Sequence, residues 1–549
     1  MLITILLIRT TFNSLSFWAV QQCMDLILGP SISVLSGSID LIDKVNKHYH
    51  FKNSGRQSDY FRLKKTLEFK ERNYASQGEV PDWYPTWRDK QLKEIKDKID
   101  VFPCTKMPDG SLIVPTGLVP SLKMYFTKEH LALNIIDTRN FEGLNRRILK
   151  GDMPRELRKP QKLAKDAISN PKFDEGHIRG VGLIEMATGI GKTAYAQETI
   201  RELGHKAIFL VPSRSILTQT VKRFKEAFGE KNVKQYGDGQ KNIGYITVAT
   251  YQSVFTGDPE DFADIDVAIM DEVHHVSAET FYHVATKQLK NAVYRIGLTA
   301  FKERADGSTI LVEAACGPVV YSYSAKEAII DKYLAQPTYM IYSVTDTKGQ
   351  WTKYKINQKT NKREATKVLP CIKYNGKDGI EAYRNWVLGN DYLNNFVAKI
   401  TQSFVDDGKS ILILVDEKEH GEKLLALMPD AGFVMGGGSD NDDLLKAFNQ
   451  RKLKILIGTS TIGEGTDTIP VDVLIELQGG ASASQTIQVD GRALRNDPDP
   501  DTGISRKPTT LIIDFDFPDC DMLHRYCAAR IKVHKKVWDD IHYANMPKL

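Results

Sequence analysis

Residues 182–193 read GLIEMATGIGKT, and this stretch decides the predicted fold. An apolar run leads into a glycine-rich turn, and the turn ends in Lys192 and Thr193. This order is typical of a buried strand that delivers a phosphate-binding loop to the start of a helix. Gly189 and Gly191 let the backbone bend so that its N–H groups point at phosphate oxygens. The sequence therefore predicts a nucleotide-binding loop whose binding residues are Thr188, Gly189, Ile190, Gly191, Lys192 and Thr193.

The same loop predicts the chemistry of two side chains. Lys192 is expected to reach the β- and γ-phosphates of ATP, and the Thr193 hydroxyl is expected to bind Mg²⁺. The loop departs from the full G-x-x-x-x-G-K-[ST] pattern, because Met186 stands where the first glycine belongs. On these residues alone, a glycine turn beside an exposed lysine is the alternative.

Strand-like and helix-like segments alternate downstream of the loop. In residues 152–325, apolar runs such as KAIFLV (206–211) alternate with helical segments such as SILTQTVKRFKEAF (215–228). A second series in residues 330–535 includes SILILVD (410–416) and TTLIIDFDF (509–517) but contains no G-K-T loop. Such alternation favours parallel sheets covered by helices, with ligands at the carboxyl ends of the strands. We expect an α/β protein with two tandem parallel-sheet lobes, residues 151–328 and 329–549, the second ending in a basic helix.

The region before the loop has a different character. Residues 1–40 begin with an apolar segment of uncertain status, which Arg9 interrupts and in which Met24 is a possible alternative start. The uninterrupted apolar stretch is too short to span a bilayer. Residues 41–150 predict a small α+β accessory domain, in which Pro108-Asp109-Gly110 between two apolar runs indicates a hairpin. Its interleaved basic and aromatic side chains suit DNA binding, although a solvated face over an aromatic mini-core has the same composition.

Composition sets broad limits on the protein. A length of 549 residues suggests roughly three domains, and 42% hydrophobic with 26% charged residues is ordinary for globular protein. A net charge of +5 permits a nucleic-acid partner without requiring one. The six cysteines include no C-x-x-C pair, which argues against a disulfide framework or a structural zinc site and fits a reducing, cytoplasmic location. We expect no membrane partner. The lysine-rich insertion at 348–367 predicts a solvated segment, or alternatively a basic loop that touches phosphate backbone.

Two carboxylates follow the apolar run VAIM (267–270). A carboxylate at the end of a buried strand, downstream of a phosphate loop, is where a Mg²⁺-organising aspartate is expected. Asp271 is therefore the second predicted metal residue, since Mg²⁺ prefers oxygen ligands. Glu272 is expected to orient and deprotonate the attacking water.

These motifs occur in a specific order. The loop is followed by Asp271-Glu272-Val273-His274, then by GLTA (297–300), and then by Gln488-x-x-Gly491-Arg492-x-x-Arg495. The ordered set resembles the superfamily-2 helicases and translocases of the DExH branch over about residues 152–517. This resemblance implies two RecA-like lobes, an ATP and Mg²⁺ requirement, and nucleic-acid-stimulated hydrolysis. Within the superfamily, the accessory region resembles that of phage UvsW-type branch-migration helicases, with XPB-, RecG- and RadD-like proteins as neighbours.

The resemblance also implies roles for individual positions. Arg158 and Gln161 look like the motif that reads adenine, and Gly465 with Asp467 resembles a motif that touches the nucleotide ribose. GLTA matches the motif that couples hydrolysis to movement, although Phe301 and Lys302 replace its usual continuation. Implied catalytic residues are Lys192, Asp271, Glu272, Gln488, Arg492 and Arg495, the two arginines reaching the γ-phosphate. Implied nucleic-acid contacts are Pro212, Ser213, Arg214, Thr250, Tyr251, Gln252, Thr459 and Ser460.

The expected function is an ATP-dependent helicase or translocase on branched or forked DNA in recombination, repair or replication. We expect a monomer or weak oligomer in the cytoplasm, that of the host if the gene belongs to a phage. An RNA helicase would use the same motor, and a restriction-type motor subunit would need a nuclease partner. A P-loop kinase or metabolic ATPase would share the Lys192 loop but has no use for a second lobe that ends in QVDGRALR (488–495).

Overall fold

The structure is a computed structural model of the full chain. It describes residues 23–30, 32–52, 100–101, 103–149, 156–169, 177–274, 278–300, 309–345, 350–356, 363–370, 379–436, 438, 440–459, 471–480, 482–497 and 507–546, together with isolated positions between 53 and 99. These residues fall into two compact units. The first unit comprises Met1–Glu185 and Thr193–Ser322, and the second comprises Met186–Lys192 and Tyr323–Leu549.

The accessory part of the first unit contains a five-stranded sheet with strand order β5-β6-β2-β1-β7. Its elements are β1 (Cys23–Leu28), β2 (Ile32–Ser36), α1 (Ile39–His48), β3 (Phe51–Lys52), β4 (Asp100–Val101), β5 (Thr105–Lys106), β6 (Leu112–Pro115), α2 (Val119–Lys128) and β7 (Ala132–Asp137). Strands β3 and β4 pair separately from this sheet. The predicted hairpin is confirmed, because β5 and β6 are antiparallel and the Gly110 N–H donates to the Met107 carbonyl at 3.0 Å.

Strand β1 lies inside this sheet, antiparallel to β2 and parallel to β7. Its residues Met24, Leu26 and Leu28 are buried at alternate positions, as expected for a strand with one face on a core. The sheet therefore extends to the N-terminal side of the boundary expected at residue 41. Each β1 residue has partners far along the chain, and residues 1–40 alone give no sign of them. The segment 1–22, whose status the sequence left open, lies outside the described residues.

The rest of the first unit is built on an eight-stranded, mainly parallel sheet of order β11-β10-β12-β9-β13-β14-β8-β15. Its strands are β8 (Val181–Met186), β9 (Ala207–Val211), β10 (Val233–Gly237), β11 (Gln240–Lys241), β12 (Ile246–Thr250), β13 (Val267–Met270), β14 (Tyr294–Thr299) and β15 (Val319–Tyr323). Its helices are α3 (Lys159–Ser169), α4 (Lys192–Leu203), α5 (Arg214–Phe228), α6 (Tyr251–Phe255), α7 (Ala278–His283) and α8 (Thr309–Cys316). Every residue of β9, β12, β13 and β14 is buried, as expected for strands covered on both faces.

The second unit contains a seven-stranded sheet of order β20-β21-β19-β22-β23-β16-β24, in which all neighbouring strands are parallel. Its strands are β16 (Gln336–Ser343), β19 (Ile411–Leu414), β20 (Gly432–Val434), β21 (Ile455–Gly458), β22 (Val473–Glu476), β23 (Thr509–Asp516) and β24 (Ile541–Asn545). Its helices are α9 (Ala325–Ile330), α10 (Gly379–Tyr383), α11 (Asp391–Asp406), α12 (Lys418–Leu427), α13 (Asn441–Asn449), α14 (Ala483–Ala493) and α15 (Asp521–Val537). The expected basic helix is α15, whose last turn carries His534, Lys535 and Lys536.

The two predicted α/β lobes are thus present, each on its own mainly parallel sheet. The lysine-rich insertion, expected as a solvated segment, contains an antiparallel pair, β17 (Gln350–Ile356) and β18 (Arg363–Pro370). Among the described residues, no helix has both the length and the apolar character needed to cross a bilayer. The side chains of Cys104, Cys316, Cys520 and Cys527 are free thiols.

Candidate active site

The predicted phosphate loop lies between a strand and a helix. Strand β8 ends at Met186 and α4 begins at Lys192, so the glycine-rich turn occupies residues 187–191. Gly189 and Gly191 have φ angles of +88° and +93°, and residues with a Cβ atom rarely adopt such positive angles. The backbone conformation therefore requires the two glycines that the sequence offers, and Lys192 is buried at the first helical position.

Residues 186–192 belong to the second unit, where they lie against α14 and the segment after it. A Cβ atom on Gly189 would come within 3.2 Å of the Arg495 side chain, and one on Gly491 would come within 2.4 Å of Thr188 Cβ. Two glycines thus permit close packing of the phosphate loop on α14 and on the segment after it that carries Arg495. The structure brings Arg495 to this loop, as the motif resemblance implies.

Helix α14 begins after Ser482 and carries Gln488 and Arg492 one turn apart. Both side chains are buried, and Arg492 Nη1 donates to the Gln488 carbonyl at 3.5 Å. Arg495 follows the helix, in a segment held by a 2.8 Å hydrogen bond from Ala335 N to the Leu494 carbonyl. Burial lowers the pKa of Arg495 to about 10, so its guanidinium stays charged at neutral pH.

The predicted acidic turn follows β13 in the first unit. Asp271 N donates to the Leu210 carbonyl at 2.9 Å, and Tyr251 Oη donates to the Asp271 carbonyl at 2.8 Å. Glu272 N donates to Asp271 Oδ1 at 3.0 Å. Glu272 has a φ angle of +49°, which is uncommon for a residue other than glycine. Backbone strain of this kind clusters at functional sites, where surrounding structure holds it in place.

A histidine joins the acidic turn to the end of β14. His274 Nδ1 lies 2.9 Å from Thr299 Oγ1 and 3.5 Å from Glu272 Oε2. Val273 N also donates to the Leu298 carbonyl at 3.2 Å. The two motifs that the sequence separates by about 25 residues are therefore in direct contact. The sequence prediction assigned no role to His274; its only signal is its place two residues after Glu272.

Arg158 and Gln161 lie together at the start of α3. The Gln161 Oε1 atom accepts a hydrogen bond from Arg158 N at 2.7 Å, and the Gln161 side chain is buried. This contact fixes the Gln161 amide. Recognition of adenine by these two residues stays a prediction.

The predicted nucleic-acid contacts separate into two groups. Ser213 and Arg214 follow the carboxyl end of β9, and the Arg214 side chain is 81% exposed. Gln252 is exposed in α6, which follows the carboxyl end of the parallel neighbour β12. Tyr251 is different: its side chain is buried and its hydroxyl supports the acidic turn, so it offers no surface to a strand.

The remaining predicted residues can be placed only in part. Pro212 lies between β9 and Ser213. Thr250 is buried, and its hydroxyl caps α6 by accepting from Ser253 N at 3.2 Å. Thr459 is buried directly after β21. Ser460, Gly465 and Asp467 lie outside the described residues.

Comparison with protein families agrees with this architecture. Residues 155–304 match the family described as "Type III restriction enzyme, res subunit", and residues 394–497 match the "Helicase conserved C-terminal domain". The first match covers the phosphate loop and the acidic turn, and the second covers the arginine helix. The two matches follow the order of the two lobes.

Individual relatives are more distant. The chain is 26% identical to the DNA 3'-5' translocase XPB2 of Sulfurisphaera tokodaii, over 57% of this chain and 74% of that protein. It is 27% identical to a mimivirus protein provisionally named ATP-dependent RNA helicase L396, over 62% of each chain. Alignments with further curated relatives span about half of their length or less.

Among solved structures, the fold is similar to a fragment provisionally named as the HsdR subunit of a type I restriction enzyme from Vibrio vulnificus. The TM-score is 0.50 at 18% identity, covering 85% of this chain and 83% of that one. This likeness concerns the fold alone. The phosphate loop, acidic turn and arginine helix, together with the two family matches in the order of the lobes, support an ATP-dependent helicase of superfamily 2.

Proposed function

We propose that this protein couples ATP hydrolysis to movement along DNA, and that it separates strands or migrates branches at branched or forked DNA in the cytoplasm. The position of His274 carries this proposal, because its Nδ1 atom hydrogen-bonds Thr299 at 2.9 Å and lies 3.5 Å from the Glu272 carboxylate. It joins the group assigned to hydrolysis with the motif assigned to movement. DNA is favoured over RNA because the relative with 74% of its length aligned is named a DNA translocase.

The acidic turn supports the hydrolytic step. Glu272 orients a water for attack on the γ-phosphorus and accepts its proton, while the bond to the β–γ bridging oxygen breaks and ADP leaves. The strained backbone at Glu272 and its contact with His274 restrict where this carboxylate can point. Such pre-organisation lowers the cost of aligning the water in the transition state.

Thr193 and Asp271 offer the oxygen donors that Mg²⁺ prefers, one hydroxyl and one carboxylate. Asp271 is held at a buried strand end by three hydrogen bonds, two to its backbone and one to Oδ1, which suits a fixed ligand. A bound Mg²⁺ ion would draw negative charge from the phosphates. Lys192, Arg492 and Arg495 add fixed positive charge, and an arginine placed on the transferring phosphoryl group is worth on the order of 10³–10⁵ in rate.

Movement requires contacts to the nucleic-acid strand whose strength changes with the bound nucleotide. Ser213, Arg214 and Gln252 lie at the carboxyl edge of the first sheet, and Thr459 lies at that of the second. Backbone contacts of this kind are independent of sequence, as a motor needs. We assign the accessory domain to recognition of the branch.

The first test is ATPase rate on a panel of nucleic acids at one salt concentration, since phosphate-driven affinity falls steeply with salt. The panel comprises no nucleic acid, single-stranded DNA, duplex DNA, a four-way DNA junction and RNA. We expect the strongest stimulation from the junction. Strongest stimulation by RNA with DNA inert would overturn the assigned substrate and leave the motor intact.

The site assignments have their own test. Lys192→Ala and Glu272→Gln should each lower kcat by at least 10²-fold, and Glu272→Gln should still bind ATP because the loop is unchanged. Lys290→Ala is a matched control, since this exposed lysine precedes the amino end of β14 and pairs with Glu260 at 3.4 Å. Wild-type turnover in Glu272→Gln would remove that residue from the hydrolytic step.

A motor subunit of a restriction-type complex is a second candidate. The match of residues 155–304 to the restriction-enzyme family favours it. Such a subunit would work with a nuclease, so co-purification of DNA cleavage from the native source separates this candidate from a free-standing helicase.

A further inference from the structure

A buried cluster of charged side chains lies in the second unit, apart from the nucleotide motifs. Its members are Glu476 at the end of β22, Asp490 in α14, Asp514 in β23, and Arg530 and His534 in α15. None of them is more than 9% exposed. Burial of five ionisable groups is costly unless they are paired, so their arrangement requires a reason.

Three of these groups, Glu476, Asp514 and His534, lie close enough together to suggest a metal site. The Arg530 guanidinium lies beside these carboxylates instead of a metal ion. Its Nε and Nη2 atoms donate to the two oxygens of Asp514 at 2.8 and 2.7 Å, and Nε lies 3.9 Å from Glu476 Oε2. A guanidinium this close repels a metal cation. The cluster is therefore an ion-pair network.

Asp490 connects this network to the arginine helix. It lies in α14 directly before Gly491 and two residues before Arg492. Its Oδ2 atom accepts from His534 Nδ1 at 2.9 Å and from Tyr339 Oη at 3.2 Å. The rings of Tyr339 and His534 stack with 4.3 Å between centroids. One carboxylate thus ties α14 to α15 and to β16.

The charges of the network favour a protonated imidazole. Burial opposes the charge, but the Asp490 carboxylate overcomes it and raises the pKa of His534 to about 9. Burial, with Asp490 and Asp514 nearby, raises the pKa of Glu476 to about 8. With Glu476 neutral, two carboxylates face two cations. Tyr339 and Cys527 also border the network, and burial raises the pKa of both well beyond neutral pH.

We propose that Asp490 and His534 are positioning residues for the γ-phosphate arginines: their buried ion pair sets the position of α14 and thereby the reach of Arg492 and Arg495. This inference rests on the proposed ATPase function. The physical reason is that Asp490 and Arg492 belong to the same helix, which Arg495 directly follows. A shift of α14 carries both arginines with it, and a misplacement of about 1 Å in a catalytic group can cost about 10²-fold in rate.

The test compares Asp490→Asn and His534→Gln with wild type for kcat, for KM of ATP, and for binding of a fluorescent ATP analogue. Both substitutions nearly preserve side-chain size and remove the charge pair. We expect kcat to fall roughly 10- to 100-fold, with analogue binding changed less than about threefold, because Lys192 and its loop are intact. The exchanged variant Asp490→His/His534→Asp should recover part of the loss.

The pH profile separates positioning from a general loss of structure. In wild type, kcat should fall as pH rises through about 9, where His534 loses its proton. This descending limb should be absent from Asp490→Asn, whose kcat is already low. His524→Gln is the matched control, since this exposed histidine lies in the same helix and pairs with Asp516 at 2.7 Å. It should show the wild-type profile.

Four outcomes decide the question. Wild-type kcat and pH profile in both charge variants would overturn the inference. If Asp490→Asn fails to fold by circular dichroism, His534→Gln and Tyr339→Phe carry the test, and unchanged kcat in both overturns it equally. A wild-type protein without ATPase activity would instead overturn the proposed function. Loss of activity in Arg492→Ala together with wild-type activity in Asp490→Asn and His534→Gln would keep that function and reject the positioning role.

Discussion

At the residue scale, the hydrogen bond between His274 and Thr299 is expected to couple ATP hydrolysis to movement. Thr299→Val keeps the shape of this fully buried side chain and removes the hydroxyl 2.9 Å from His274 Nδ1. Losing one such hydrogen bond costs about 1 kcal/mol, or roughly fivefold in coupling. We expect ATP turnover within about twofold of wild type, and roughly fivefold fewer base pairs unwound per ATP hydrolysed. Parallel ATPase and strand-displacement assays measure that ratio.

The control for this substitution is Thr401→Val in α11, where the buried hydroxyl has no hydrogen-bond partner among the described residues. It should leave the ratio unchanged. An unaltered ratio in Thr299→Val would show that His274 does not transmit the state of Glu272.

At the scale of elements, a polar chain joins helices of the second unit around His420. Asp416 N donates to Tyr383 Oη at 3.0 Å, Tyr383 Oη lies 2.7 Å from His420 Nδ1, and His420 Nε2 lies 2.8 Å from Asn394 Oδ1. Burial lowers the pKa of His420 to about 3. In the unfolded chain, His420 binds a proton at a higher pH than in the folded protein. Its contribution to the free energy of unfolding is therefore fully present above about pH 6.5 and is lost as pH falls toward 3.

Protonation of His420 is therefore predicted to lower the free energy of unfolding of the second unit by about 2 kcal/mol between pH 7 and pH 5. Hydrogen exchange in α11 and α12, corrected for intrinsic rates, should report the loss. His420→Gln, which keeps a donor for Asn394, should flatten the dependence. Equal pH dependence in the variant and in wild type would mean that His420 is charged or exposed in the folded protein.

At the scale of the whole molecule, a net charge of +5 does not by itself require a nucleic-acid partner, so DNA binding is expected to depend on local phosphate contacts. Arg214 is exposed at the carboxyl edge of the first sheet, 4.0 Å from Asp238. Arg214→Ala should weaken DNA binding at all sequences and reduce the slope of log K against log salt by about 0.7 to 0.9, the value of one phosphate contact. Fluorescence anisotropy across a salt series measures this slope. Lys290→Ala, at the opposite edge of the sheet, should leave it unchanged.

Much of the fold follows from local sequence. Most strands of both lobes are continuous apolar runs, as in IFL at 208–210. The reason is that both faces of these strands are covered by helices, so neither face carries solvent-exposed polar residues. The turn at 187–191 follows from its glycines, and the hairpin at 107–111 from Pro-Asp-Gly. These signals lie within a few residues of the structures they predict. Short edge strands such as β20 and β24 lack a comparable pattern, and the sequence did not reveal them.

The sequence by itself determined the order of the lobes, the phosphate loop, the acidic turn and the arginine motif, because each is encoded by neighbouring residues. Only the tertiary structure decided which side chains are buried and what they meet. Tyr251 has the sequence of a surface contact but is buried behind Asp271. Asp490 meets His534 from 44 positions away. The physical reason is that a buried polar group is tolerated only where packing brings it a partner, and that partner is set by how distant strands and helices come together.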